Sequence, residues 1–214
     1  MLGRLRPYLI PILERVAAPI ARSGISPNKV SFAAIPLAVV AAYALATEQW
    51  ISGFVFALAA ALVDLLDGAV ARLQGRKTLF GNYFETMMDR WVEAILYVGL
   101  SFSFPRTAAF ALATAMLVSY AKARVSLVIM TDNHDWPALG ERAERMTLLL
   151  TGIFFQAAGF LVLQWTLAAI GGMCALGTIQ RMFYAHDLIE RAESEDRVLP
   201  YLREPAPVDK TGAP

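Results

Sequence analysis

Runs of uncharged, apolar residues close to bilayer length recur along the chain, and they exclude a soluble fold. A soluble domain is about 25% charged and about 45–50% apolar. Here 57% of the 214 residues are apolar and 17% charged, with a mean hydropathy of +0.50. The charges are bunched between the runs rather than spread through them. Within hydrocarbon only helices and closed barrels satisfy their backbone polar groups, and about 20 helical residues cross it. These runs therefore predict an all-α, polytopic membrane protein. The same composition excludes disordered, collagen-like and disulfide-scaffold chains. Nucleic acid is not an expected partner. The single cysteine, Cys174, lies in an apolar run, which leaves no intrachain disulfide and no cysteine-based zinc cluster.

Residues 3–23 mix Arg4, Arg6, Glu14, Arg15 and Arg22 with regularly spaced aliphatic residues. They predict an amphipathic helix lying in the membrane interface and interrupted by Pro7, Pro11 and Pro19. The apolar stretch from Tyr8 stops at Glu14, too soon for a secretory signal peptide. After Gly24-Ile25-Ser26-Pro27-Asn28, where Ser26 or Asn28 is available as a cap, six spans follow. They are expected over about Lys29–Ala46, Trp50–Leu73, Thr78–Phe104 and Arg106–Met130, with two more in the long stretch from Met146 to about Tyr184. A turn near Gln164-Trp165 would separate the last two. The organisation is thus a juxtamembrane segment (1–27), a six-helix membrane domain (28–188) and a mobile tail (189–214). With six spans both termini share a side, and of 19 Lys and Arg only Arg106 falls opposite. The positive-inside rule makes the crowded side cytoplasmic, in a multi-pass cell-membrane protein.

The second span ends in Asp64 and Asp67, spaced i, i+3, and the third opens with Glu85 and Asp89, spaced i, i+4. Each pair occupies one helical face. The short link Gln74-Gly75-Arg76-Lys77 makes the two spans antiparallel neighbours, so the acidic faces can meet. Four carboxylates at low dielectric need compensating positive charge. Oxygen-only ligands favour Mg²⁺ or Mn²⁺, and four suffice for two ions of the kind used in phosphoryl transfer. Gly68 and Ala71 remove bulk beside the acids, and Arg72 is placed to meet phosphate. A pure salt-bridge role, with Arg72, Arg76, Lys77 and Arg90 as partners, does not require two spaced pairs of acids. An ion or proton relay would put acids at the midplane, whereas these cluster at one interface.

The segment reads D-x2-D-G-x2-A-R-x8-G-x3-E-x3-D and resembles the CDP-alcohol phosphotransferase signature, which ends G-x3-D-x3-D. Every fixed position matches except Glu85, where the family has Asp. The Ile25-Ser26-Pro27-Asn28 entry and six spans agree with it, so the resemblance covers nearly all of residues 20–187. It implies an enzyme that moves a phosphatidyl-type group from a CDP-linked lipid, such as CDP-diacylglycerol, to an alcohol, releasing CMP. It also implies that Asp64, Asp67, Glu85 and Asp89 hold the metals and that Asp89 is the base for the acceptor hydroxyl. Asp64, Asp67, Gly68, Ala71, Arg72 and Thr78 would form the CDP-lipid site, and members often form homodimers.

A second charged group, Lys122, Arg124, Arg142, Arg145 and Arg181, falls at the depth of the acids. Taken singly such residues are ordinary snorkelling cations. Together they predict a pocket for the phosphate of a phosphorylated polyol. The submotifs S-Y-x-K-A-R, E-R-x-E-R and T-x-x-Q-R resemble the inositol-phosphate branch, the phosphatidylinositol-phosphate and archaetidylinositol-phosphate synthases. Val125-Ser126 stands where that branch continues Ala-Glu, which keeps glycerol 3-phosphate as the competing acceptor. His134, in a polar loop, is expected to be solvated.

Overall fold

The computed structural model describes residues 6–75, 78–130, 136–137 and 139–195, with side chains from Pro11 onward. The proline-bearing end of the tail, the link residues Arg76 and Lys77 and the loop carrying His134 lie outside these. Among the described residues the structure is built from seven α-helices: α1 (Arg6–Arg22), α2 (Pro27–Ala46), α3 (Trp50–Leu73), α4 (Leu79–Leu100), α5 (Pro105–Val125), α6 (Arg142–Ala157) and α7 (Leu163–Ser194). The all-α expectation holds. Three of them, α2, α3 and α5, are long and apolar enough to cross a membrane.

Local sequence explains the starts of α2 and α4. α2 starts on Pro27, whose fixed φ suits a first helical position; Ser26 holds the N-cap place, but its side chain makes no cap bond. Thr78 caps α4 by accepting from the Gly81 amide at 2.9 Å. α1 runs through Pro11 and Pro19 without a break, so the expected interruption does not occur. The turn between the last two helices falls at 158–162, around Gly159 with its left-handed φ of 93°, and not at Gln164-Trp165. Gly fits that backbone without penalty, whereas Gln164 and Trp165 belong to the first turn of α7. α7 also runs past 188, to Ser194.

The core is aliphatic and small. Ala34, Ala38 and Ala41 of α2 are buried with Ala57 and Ala60 of α3, while Leu96 and Leu100 of α4 and Leu167 and Ile170 of α7 fill the remaining volume. Small residues let helix backbones approach where lipid gives no hydrophobic drive to packing. A Cβ at Gly99 would stand 2.6 Å from the Ala42 Cα, so α2 and α4 meet backbone to backbone there. Outward faces carry Phe32, Val39, Tyr43, Val55, Leu62, Leu117 and Phe183, all exposed. An apolar exterior over an apolar core is the pattern of a helix bundle solvated by lipid.

α3 and α4 share few contacts along their length, although a short link joins them; α2 packs against both, and α6 packs against α3. Their acidic ends nonetheless face one another as expected, beside a polar pocket lined by α2, α3 and α4 together.

Candidate active site

The pocket opens between the start of α2, the end of α3 and the start of α4. Pro27, Asn28 and Ser31 line it from α2, Asp67, Gly68, Ala71 and Arg72 from α3, and Thr78, Gly81, Asn82 and Glu85 from the α4 side. At about 240 Å³ it is smaller than the ~300–1,000 Å³ of sites for drug-sized ligands, so it suits a polar headgroup fragment rather than a whole lipid. Every residue expected at the CDP-lipid site lines it except Asp64.

Asp67 is 2% exposed. Its carboxylate accepts from the Ser31 hydroxyl and from the Gly68 amide, and it lies close enough to Asp64 and Glu85 to feel their charge. Ser31 is a site residue that motif reading missed, because it lies 36 residues upstream with no local signature. Gly68 matters for space. A Cβ there would come within 3.6 Å of Arg72 Nη1 and 3.9 Å of Glu85 Oε1, so a larger side chain would push between the guanidinium and the carboxylate. On its other edge, Arg72 Nε donates to Glu14 of α1 at 3.3 Å. Glu14 was expected only as part of an interfacial helix.

Asp64 and Asp89 face each other one step deeper. Arg142 Nη1 stands 2.6 Å from Asp64 Oδ2 and 3.2 Å from Asp89 Oδ1, so one guanidinium nitrogen reaches both carboxylates. Asp89 Oδ1 is buried with that ion pair as its contact, and the buried Arg142 Nε has no hydrogen-bond partner. The structure therefore brings all four acids to one end of α3 and α4, in two adjoining groups. Among the described residues no three of them converge on a single point in this arrangement, and Arg142 reaches both Asp64 and Asp89.

The expected acceptor arginines separate into different environments. Arg142 sits among the acids. Arg145, 1% exposed, gives Nε and Nη2 to the two oxygens of Glu93 and Nη1 to the Gly140 carbonyl. Arg181, 5% exposed, donates to the carbonyls of Val118 and Pro137, at 2.6 Å for the first. Lys122 lies within electrostatic reach of Arg181 and Glu141, whereas Arg124 is exposed at the end of α5. Glu93 is the second residue that motif reading missed. A signal existed, since an acid one turn after Asp89 inside an apolar helix is costly without a partner. Gly140, with a left-handed φ of 76°, packs against Cys174 and lets the chain enter α6 with Arg142 in its first turn.

Known proteins share this chain's sequence and fold. The archaetidylinositol phosphate synthase of Methanothermobacter thermautotrophicus is 33% identical over 196 residues, which is 86% of this chain and 93% of that one. The phosphatidylinositol phosphate synthase of Mycolicibacterium smegmatis is 28% identical and covers 81% of this chain and 82% of its own. Among solved structures, the phosphatidylinositol phosphate synthase of Mycobacterium tuberculosis with CDP-DAG bound superposes with a TM-score of 0.72 at 21% identity, over 92% of this chain and 99% of that one. The same protein in complex with manganese and citrate gives 0.71, also at 21%. At that identity the likeness is one of fold. The pattern of the CDP-alcohol phosphatidyltransferases matches residues 24–179, which take in the whole pocket and every expected site residue except Arg181, and the chain belongs to that family.

Proposed function

We propose that this protein transfers a phosphatidyl or archaetidyl group from a CDP-linked lipid to inositol phosphate, releasing CMP, at the cytoplasmic face of the cell membrane. The observation that carries this is the pocket itself, in a family member: Asp67 and Glu85 beside Arg72, Gly68 and the capped start of α4, with Asp64 and Asp89 one step deeper. The relatives named as inositol-phosphate synthases supply the acceptor class.

The donor set fits divalent ions. Four carboxylates with neither sulfur nor imidazole among them are hard oxygen ligands, and the buried Asp89 Oδ1, met only by the Arg142 guanidinium, has acceptor capacity left for a metal ion. Asp64, Asp67, Glu85 and Asp89 would hold two ions, Mg²⁺ or Mn²⁺; the related structure with manganese agrees with this choice. Bound there, the metal would neutralise pyrophosphate charge and stabilise the departing CMP.

The chain's own residues do the rest. Arg72, steered by Glu14, meets phosphate with its Nη edge, and Ser31 fixes the Asp67 carboxylate in one orientation. Gly68 and Ala71 let the nucleotide approach the helix backbone, and Thr78 borders the same space. Asp89 accepts the proton of the acceptor hydroxyl, which then attacks in line. Lys122 and Arg142 form the cationic side toward the acceptor phosphate, while Arg124, Arg145 and Arg181 act around it.

Six spans are the topology we favour, with α1 in the interface. α4, α6 and α7 would cross with their charged ends on the side of the acids. A homodimer through the membrane helices is the expected assembly.

The test is CMP release from CDP-diacylglycerol by detergent-solubilised protein with Mg²⁺ or Mn²⁺, comparing inositol phosphate with glycerol 3-phosphate. Release dependent on inositol phosphate supports the reading. Release with glycerol 3-phosphate alone reassigns the acceptor, and no release with either alcohol under either metal overturns the transferase.

A further inference from the structure

Two arginines one turn apart on α6 make opposite commitments. Arg145 spends Nε, Nη1 and Nη2 on Glu93 and the Gly140 carbonyl and is 1% exposed, so it pins the first turns of α6 against α4. Arg142 spends one nitrogen, Nη1, on both Asp64 and Asp89, leaves its buried Nε without a partner, and keeps 21% of its side chain exposed. The helix is fixed and one side chain on it is under-committed. That side chain also stands in the first turn of α6, where free backbone amides already favour an anion.

We propose that Arg142 is an exchange cation. It compensates Asp64 and Asp89 until divalent ions take those carboxylates, and it then turns to the phosphate of the acceptor, so that metal loading and acceptor binding reinforce each other. The electrostatics run in one direction. A guanidinium left between two carboxylates that also hold divalent ions is repelled by them. A phosphate monoester beside α6 gives it a bidentate partner instead. Removing Arg142 from the acids in turn frees ligand oxygens for metal, and by linkage each ligand raises the affinity for the other by the same factor. Arg145, held by Glu93, then acts as a positioning residue: it keeps α6 in register while Arg142 alone moves. The inference rests on the transferase reading above.

The experiment measures Mn²⁺ binding by electron paramagnetic resonance on purified full-length protein, with and without inositol phosphate and without CDP-lipid. For the native chain, saturating inositol phosphate should raise Mn²⁺ affinity at least about fivefold, the lower end of ordinary coupling between sites. Arg142→Gln should bind Mn²⁺ more tightly than the native chain when inositol phosphate is absent, and its affinity should not respond when it is added. Lys122→Gln leaves the Asp64–Arg142–Asp89 contact intact and should weaken inositol phosphate without tightening Mn²⁺. Equal or weaker Mn²⁺ binding by Arg142→Gln overturns the proposal, as does a native affinity indifferent to inositol phosphate. Should Arg142→Gln fail to fold, the native response and that of Lys122→Gln decide the matter. CMP release by the native protein separates the two levels: release without linkage sinks the exchange alone, and no release sinks the transferase reading.

Discussion

At the residue scale the chemistry depends on where four carboxylates find positive charge. Asp89 is the most exposed to test, since it is assigned both a metal and the acceptor proton. Asp89→Asn preserves size but not basicity, and should lower CMP release by at least about 10²-fold, the usual range for losing a general base. Its thermal midpoint should stay close to that of the native chain. Full activity in the variant would remove Asp89 from the reaction. Glu85 carries one methylene more than the family's aspartate. Its carboxylate approaches Gly68 of α3, so the longer side chain reaches across the pocket from α4. Glu85→Asp is expected to keep or raise activity in steady-state assays. Complete loss would show that the pocket is built around the longer side chain.

At the scale of elements, glycine and alanine set how closely the helices approach, and so how the acids are presented. Gly99 is the sharpest case, because a Cβ there would collide with the Ala42 backbone, which has no rotamer to yield. Gly99→Leu should cost several kcal/mol, at or beyond the ~1–3 kcal/mol usual for overpacking. Urea or thermal unfolding in detergent reads it, with activity falling in proportion to the folded fraction. A stability change under about 0.5 kcal/mol would mean that α2 and α4 are not in backbone contact. A short link brings the acidic ends of α3 and α4 together, yet it says nothing of their packing further along, where each leans mainly on α2.

On the scale of the whole molecule, the topology has a direct test. α7 has 32 residues, about 48 Å of helix, against about 30 Å of hydrocarbon. Its charged last third, including His186, Asp187 and Glu190, therefore has length to stand outside the bilayer. The one cysteine is buried, so replacing Cys174 with Ala gives a background for single-cysteine labelling with a membrane-impermeant maleimide in intact cells. Cysteines at Ser103 and Phe160 should label from outside, and one at Ser126 only after permeabilisation. Labelling of all three from the same side would overturn the six-span arrangement.

How much could be read from the chain alone divides along a physical line. Apolar run length, capping residues and acid spacing act within a turn or a span, and they determined the helical class, the extents of α2 and α3, and Asp67 and Glu85 with Gly68, Ala71, Arg72 and Thr78 around one pocket. Pairing between distant charges does not act locally. Arg142 meets Asp64 across 78 positions, Arg145 meets Glu93 across 52 and Arg72 meets Glu14 across 58. Five cations at one membrane depth look equivalent in sequence. Only the packing of α6 on α3, and of α7 on α5, decided that Arg145 and Arg181 are spent inside the bundle while Arg142 faces the acids, because helix rotation and separation are set by the fit of whole faces rather than by any one residue's spacing.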